Sequence, residues 1–266
     1  MSRVQEVFAK AAAENRAALV GYLPAGFPTK AGGIEALVAM VHAGVDVVEI
    51  GLPYSDPVLD GPTIQQAADM ALAGGTRIRD VLDTVEAVAA TGAATLVMTY
   101  WNPVLRYGVE RFAADLAVAG GVGLITPDLT PDSGADWLAA SDAHDLDRVF
   151  LIAPSSSPER IALTVGACRG FVYATAVMGV TGARSQTSAA APPLVARIRA
   201  ATDLPIGVGL GVSDGRQAAE VASYADGVIV GSAFVRQVLD APGLAGGVAG
   251  CAALAADLAA GVRARS

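Results

Sequence analysis

The sequence VDVVEIGLPYSDPVLDGPTIQQA, residues 45–67, predicts a strand, a loop and the start of a helix in that order. Its first six residues are apolar and mostly β-branched apart from two acids, of which Glu49 lies near the end of the run. Such a run is typical of a buried strand. The loop that follows holds three prolines and two glycines and carries Asp56 and Asp60. A buried carboxylate followed by two more in a stiff loop is costly for stability alone, so this stretch is the strongest indication of a functional site.

The same order of strand and helix recurs along the chain. We expect strands near 18–23, 45–50, 95–99, 122–125, 148–152, 171–174, 206–209 and 227–230. Amphipathic or alanine-rich segments that predict helices separate them, at 29–43, 63–73, 77–91, 108–119, 132–142, 157–168, 189–201 and 213–223. Thr63 and Gln66 form a candidate capping box at the start of the second of these helices.

Eight strand–helix units predict one (β/α)8 TIM barrel, an α/β fold, as a single domain over residues 1–266. The amphipathic pattern at 3–14 predicts an extra helix before the first strand, and the apolar run at 243–262 predicts additional helix near the eighth. A doubly wound open sheet is the alternative. It usually has fewer strands, and it would have a glycine-rich dinucleotide turn where this chain has LPAGFP, at 23–28.

Composition narrows the functional class. Hydrophobic residues make up 53% of the chain, and the net charge of −8 argues against a nucleic-acid surface and favours a soluble cytoplasmic protein. The two cysteines and two histidines are far apart, which disfavours a disulfide, a structural zinc site and a Ser-His-Asp triad. A membrane span is an alternative for the run at 243–262, but its glycines, its alanines and Asp257 favour a packed terminal helix.

In such a barrel the carboxyl ends of the strands carry the chemistry. Glu49 is therefore a candidate general acid or base, because burial would raise its pKa towards neutrality. A salt-bridged carboxylate inside the barrel is the alternative, and the scarcity of basic residues in the strands disfavours it. Asp60 could accept a hydrogen bond from a substrate N–H, or it could form a turn before Gly61. Tyr100 and Tyr173 could line the pocket or pack in the interior.

Glycines follow the last two strands just before predicted helices: Gly209, Gly211 and Ser213 after the seventh, Gly231 and Ser232 after the eighth. Main-chain N–H groups at helix starts bind anions, and barrels often bind phosphate with these two loops. The pattern therefore favours a phosphate site, with 179–182 as a third side and a mobile lid. The alternative is that the glycines form packing turns and that Ser213 is an N-cap.

Together these motifs are similar to those of one known family, the α subunit of tryptophan synthase, over nearly the whole chain. The resemblance is carried by YLPAG at 22–26, Glu49 with 51–67, YWNP at 100–103, ITPDL at 125–129, Tyr173 with GVTGAR at 179–184, GLGVS at 209–213, and Gly231 with Ser232. The run at 51–67 is the most specific of these motifs. The resemblance implies a lyase of tryptophan biosynthesis that cleaves indole-3-glycerol phosphate by a retro-aldol reaction to indole and glyceraldehyde 3-phosphate.

The resemblance also implies a role for each matching residue. Glu49 matches the catalytic acid and base, which protonates C3 of the indole and assists deprotonation of the glycerol hydroxyl. Asp60 matches the acid that binds the indole N–H. The other implied positions are Tyr22, Tyr100, Tyr173 and Thr181 for substrate, Gly182, Gly211, Gly231 and Ser232 for phosphate, and Pro53, Asp56 and Asn102 for a partner.

Members of this family need no metal or organic cofactor in this subunit. Pyridoxal phosphate belongs to the β subunit, with which the resemblance implies an α2β2 tetramer. Leu59, Ala176 and Val177 depart from the residues that the family usually has, which leaves the hinge of the lid and its regulation open.

Three alternatives remain at this point. A stand-alone lyase could have the same site, and a phosphate-binding isomerase or aldolase could use a lysine. The lysines, Lys10 and Lys30, lie outside the predicted strand ends, which disfavours Schiff-base chemistry. A non-catalytic subunit that only docks on a partner is the third, and the presence of both Glu49 and Asp60 disfavours it.

Overall fold

The computed structural model describes residues 1–175, 189–209 and 211–264. Its strands are parallel and close into a barrel in chain order, with the last strand paired to the first. The strands predicted from the sequence are confirmed, and their ends shift by at most two residues. They are β1 Ala18–Pro24, β2 Val47–Gly51, β3 Ala94–Met98, β4 Gly123–Thr126, β5 Asp147–Ile152, β6 Val172–Thr175, β7 Ile206–Gly209 and β8 Gly227–Val230.

Helices cover the outside of the barrel. In the described residues they are α1 Arg3–Ala13, α2 Lys30–His42, α3 Pro62–Ala73, α4 Ile78–Ala89, α5 Trp101–Tyr107, α6 Val109–Val118, α7 Ala135–Ala143, α8 Pro158–Ala167, α9 Ala191–Arg199, α10 Gly215–Ala222, α11 Ser232–Leu239 and α12 Leu244–Arg263. The helices expected before β1 and after β8 are confirmed as α1, α11 and α12. The sequence does not predict α5, and the helix expected over 132–142 begins at Ala135, after a 3₁₀ turn at Pro131–Ser133.

Side chains along each strand alternate between the barrel interior and the surrounding helices. In β2, Val48 and Ile50 pack in the large cluster between the strands and the helices. Val47 belongs to a separate buried cluster inside the barrel. Glu49 shares the strand face of Val47, so its side chain points into the barrel.

The amino-terminal mouth of the barrel is closed by α1. Val4, Phe8 and Ala11 of this helix are buried in the interior cluster. The Phe8 ring stacks on that of Phe171, with the ring centroids 5.4 Å apart. The open mouth is therefore the one at the carboxyl ends of the strands, where β2 leads into the loop at 52–61.

The other acid of the predicted second strand, Asp46, is paired. Its carboxylate accepts hydrogen bonds from both terminal nitrogens of Arg16, at 2.6 and 2.8 Å, and from the Leu19 N–H at 2.8 Å. Arg16 is 5% exposed. This ion pair ties the beginning of β1 to the beginning of β2, at the end of the barrel away from the open mouth.

The start of α3 differs from the prediction. Its N-cap is Gly61, no side chain caps it, and Pro62 takes the first helical position. Proline suits this position because it has no N–H to satisfy and its φ is already helical. The predicted Thr63 cap is therefore wrong, since the helix begins two residues earlier than a Thr63 cap would allow.

The long terminal helix α12 packs against α2, α10 and α11. Its length and apolar composition would suffice to cross a membrane. Cys251, Ala255 and Leu258 are nevertheless buried against these neighbouring helices. This burial agrees with the prediction of a packed terminal helix.

Candidate active site

Glu49 lies in the barrel interior, with its Cα opposite those of Tyr22 in β1 and Leu96 in β3. It is 1% exposed, and its Oε1 has no hydrogen-bond partner within the described part of the chain. Burial raises the pKa of Glu49 from 4.5 to about 8. None of the ion pairs between described residues involves it. Its surroundings therefore resemble those of a general acid or base rather than those of a structural ion pair.

Asp60 is held at the same mouth by the hydroxyl of Tyr100. That hydroxyl donates to Oδ1 of Asp60 at 3.0 Å and accepts a hydrogen bond from the Leu59 N–H at 2.9 Å. Burial raises the pKa of Asp60, and the hydrogen bond from Tyr100 opposes that rise. The residue at position 59 contributes its main chain here, so the departure at Leu59 leaves this contact intact. Tyr100 thus orients Asp60 and ties the loop to the end of β3.

Two tyrosines lie over glycines at the mouth. A Cβ added to Gly51 would be 2.3 Å from the Tyr22 hydroxyl, and one added to Gly209 would be 2.5 Å from the Tyr173 hydroxyl. Burial raises the pKa of both tyrosines well above 10, and the nearby Glu49 carboxyl adds to the rise. Both hydroxyls therefore stay protonated close to Glu49. The glycines at these strand ends make room for the rings, a reason that the sequence pattern does not reveal.

The loop after β7 is held by carboxylates as it enters α10. Asp214 is the N-cap, and its Oδ1 accepts the Gln217 N–H at 2.7 Å. Oδ2 of Asp257, from α12, accepts the Gly215 N–H at 2.6 Å. The alternative that Ser213 caps this helix is wrong. Because two acids already occupy the amino terminus of α10, an anion has little to gain there.

The start of α11 is open by comparison. No side chain caps it, and the N–H groups of Phe234 and Val235 make its first bonds, to the Gly231 carbonyl. Within the described residues, no group accepts a hydrogen bond from the N–H of Ser232 or Ala233. Ser232 is 6% exposed. Of the two glycine loops, the one after β8 therefore offers an uncapped helix start to an anion.

Gly211 also lies at this mouth, with a φ of +72°, a conformation that favours glycine. The candidate residues Thr181 and Gly182, the lid at 179–188, and the departures Ala176 and Val177 all lie outside the described residues. The described mouth thus brings together Tyr22, Glu49, Asp60, Tyr100, Tyr173, Gly211, Gly231 and Ser232.

The three candidate partner positions lie differently. Asp56 and Asn102 are exposed, whereas Pro53 is buried and shapes the loop from within. The Asn102 side-chain amide donates to the Tyr54 hydroxyl at 3.1 Å. The ring centroid of Tyr54 lies 5.5 Å from that of Tyr100. This outer face is therefore in contact with the tyrosine that orients the candidate acid.

Sequence reasoning missed the anchor of α5. Both carboxylate oxygens of Asp128 accept the Trp101 N–H, at 2.9 and 3.1 Å. Asp128 follows β4 and Trp101 follows β3, so the bond joins two neighbouring loops of the mouth. The only sequence signal was an acid directly after a strand, which is too common to identify this partner.

Comparison with known proteins places the chain. The sequence model described as tryptophan synthase alpha chain matches residues 8–260. The chain belongs to the tryptophan synthase alpha chain family. The tryptophan synthase alpha chain of Salinispora arenicola is 65% identical over 263 residues, covering 99% of this chain and 98% of that one. That of Acidothermus cellulolyticus is also 65% identical, with the same coverage.

Solved structures of related proteins have the same fold. A structure of Mycobacterium tuberculosis tryptophan synthase superposes with a TM-score of 0.93 at 58% identity, covering 98% of each chain. Tryptophan synthase subunit alpha from Legionella pneumophila superposes with a TM-score of 0.89 at 29% identity, again covering 98% of each chain. The chain is a lyase of tryptophan biosynthesis, and its reaction is the cleavage of indole-3-glycerol phosphate.

Proposed function

We propose that Glu49 is the acid and base of this cleavage and that Asp60 is its electrostatic partner. Protonation of indole C3 by Glu49 gives a cationic indolenine. The resulting Glu49 carboxylate then takes the proton from the hydroxyl on the glycerol carbon attached to C3. The aldehyde forms as the bond between that carbon and C3 breaks, and the electrons of that bond return to the ring. This assignment rests on the buried Oε1 of Glu49, which has no hydrogen-bond partner in the described chain. A pKa of about 8 keeps the acid protonated at neutral pH and still able to ionise.

Asp60 suits the second role because it is oriented before substrate arrives. The Tyr100 hydroxyl fixes one carboxylate oxygen at 3.0 Å, which leaves the other able to accept the indole N–H. Positive charge develops on the indole nitrogen as C3 is protonated. A carboxylate already aimed at that nitrogen stabilises the transition state more than the ground state.

The phosphate of the substrate binds, in this proposal, at the uncapped start of α11. Gly231 and Ser232 supply main-chain N–H groups there, and Gly211 faces them from the loop after β7. The family resemblance adds Thr181 for the substrate and Gly182 for the phosphate to this assignment. Tyr22 and Tyr173 line the space between this cradle and Glu49, and the glycines beneath their hydroxyls support that placement.

The partner in this proposal is a tryptophan synthase β subunit, bound in an α2β2 tetramer. Asp56 and Asn102 offer exposed groups on the outer face, and Pro53 shapes the loop behind them. Pyridoxal phosphate belongs to that partner, and this chain works without a metal or organic cofactor of its own. Residues 1–266 act as one catalytic domain, which the closed barrel of the described residues supports, and the proposal places this domain in the cytoplasm.

Indole release from indole-3-glycerol phosphate by the purified chain tests the two acids. Glu49→Gln should lose activity by a factor of about 10² or more, the usual contribution of positioned proton transfer, while substrate still binds. Asp60→Asn should lower kcat more than it raises KM, because its charge acts mainly in the transition state. Glu86→Gln, on the exposed side of α4, is the matched control and should be unchanged.

Turnover of Glu49→Gln at the wild-type rate would refute the acid and base role. An effect of Asp60→Asn confined to KM would refute its transition-state role. The same assay with an added β subunit tests the partner. A rate that no β subunit changes would favour the stand-alone lyase over the two-protein enzyme.

A further inference from the structure

Gln217 lies in the first turn of α10, beside the loop that follows β7, and is 3% exposed. Its Oε1 accepts two hydrogen bonds from one residue of that loop. The Ser213 N–H donates at 2.8 Å and the Ser213 hydroxyl at 3.0 Å. The side chain of Gln217 therefore folds back over the loop and holds Ser213 by its main chain as well as by its side chain.

The loop is held just as firmly where it enters the helix. The Gln217 N–H donates to Asp214 at 2.7 Å, and the Gly215 N–H donates to Asp257 at 2.6 Å. Positions 213 to 215 are therefore fixed from two sides, by α10 itself and by α12. Gly211 precedes these fixed positions by two residues, and its left-handed conformation (φ of +72°) is open to glycine alone at low cost.

We propose that Gln217 is a positioning residue, which fixes through Ser213 the direction in which the Gly211 main chain faces the substrate phosphate. Gln217 itself does not touch the phosphate. The inference rests on the proposed phosphate site. This role gives a reason for a buried amide at Gln217, although Asp214 and Asp257 already accept the first N–H groups of α10. The amide shapes the loop, and the phosphate binds at the start of α11.

The predicted consequence is selective. Without the Gln217 acceptor, the partly buried Ser213 N–H loses its partner, and the loop relaxes to find another. Loss of one such hydrogen bond should lower the affinity for a ligand that depends on the loop about tenfold. Indole binds at Glu49 and Asp60, on the other side of the mouth, so its affinity should not change.

The test measures dissociation constants of glyceraldehyde 3-phosphate and of indole by calorimetry on the full chain. Gln217→Met removes the acceptor at similar volume and should weaken glyceraldehyde 3-phosphate about tenfold, with indole unchanged. Gln217→Glu keeps an acceptor oxygen but adds a negative charge near the bound anion. Its loss of affinity for glyceraldehyde 3-phosphate should therefore shrink as salt is added. The control is Gln66→Met, at an exposed position on α3, which should bind both ligands as the wild type does.

Selective loss of the phosphorylated ligand in Gln217→Met supports the inference, and so does a selective loss in Gln217→Glu that added salt removes, because that variant keeps the acceptor. Equal loss of both ligands, loss of neither, or failure of both variants to fold would overturn it, because Gln217 would then serve the fold or nothing at this site. Wild-type chain that binds glyceraldehyde 3-phosphate but releases no indole from indole-3-glycerol phosphate would refute the proposed roles of Glu49 and Asp60 while leaving the role of Gln217 standing.

Discussion

Replacing Glu49 by Gln should stabilise the folded chain at neutral and alkaline pH. Below pH 4.5 the carboxyl is protonated in the folded and the unfolded chain alike, and it adds no pH dependence. Between pH 4.5 and about 8 the unfolded chain releases the proton while the buried carboxyl keeps it, so the free energy of unfolding falls as pH rises. Over the whole interval this amounts to about 5 kcal/mol. Glutamine cannot ionise, so the variant lacks this loss.

Urea unfolding at pH 5, 6, 7 and 8 measures the effect. The stability of Glu49→Gln relative to wild type should rise by about a factor of ten in the folding equilibrium constant per pH unit, and level off above pH 8. The new amide group adds an offset that does not depend on pH, so the slope is the quantity to compare. Glu86→Gln, at an exposed site, should show no such slope. A pH-independent difference for Glu49→Gln, or one of opposite slope, would show that the acid is paired in the folded chain.

Two further substitutions test the contacts that frame the site. Gly51→Ala places a methyl group 2.3 Å from the Tyr22 hydroxyl and should cost about 1–3 kcal/mol of stability. Adding Tyr22→Ala should cancel most of that cost in a double-mutant cycle by urea unfolding, and simple additivity would show that the two do not touch. Arg16→Met leaves the Asp46 carboxylate without its buried partner and should cost about 3–5 kcal/mol. A urea midpoint that shows a loss of less than about 1 kcal/mol in the free energy of unfolding would mean that water screens this pair.

The barrel could be predicted because buried parallel strands appear in sequence as short apolar runs, and eight of them recur with helices between them. The prediction fails where a distant contact decides local structure. Helix α5, Trp101–Tyr107, is short and contains Pro103, so its sequence shows no helical period. Its first N–H is satisfied by Asp128, which lies 27 residues further along the chain. Register within the barrel brings these two loops together, and local pattern cannot supply that register.

The candidate site shows the same division. Glu49 is visible as an acid in an apolar run, and Asp60 as an acid in a stiff loop. Their surroundings are not visible, because the hydroxyl that orients Asp60 comes from Tyr100, 40 residues away. The glycine loops after β7 and β8 also look equivalent in sequence. Asp257, 42 residues from Gly215, makes them different by satisfying the start of α10.

The two acids of the stretch at 45–50 differ in their surroundings, and the difference bears on what each does. Asp46 is bonded to a buried arginine and to a main-chain N–H, and it joins two strands. Glu49, three residues further along and inside β2, has a buried oxygen without a partner in the described chain and a pKa of about 8. Selection for stability alone would favour a paired or apolar residue there, because an ionised carboxyl in that position opposes folding. The unpaired state suits the role proposed for Glu49, that of a group which must hold a proton at neutral pH and release it.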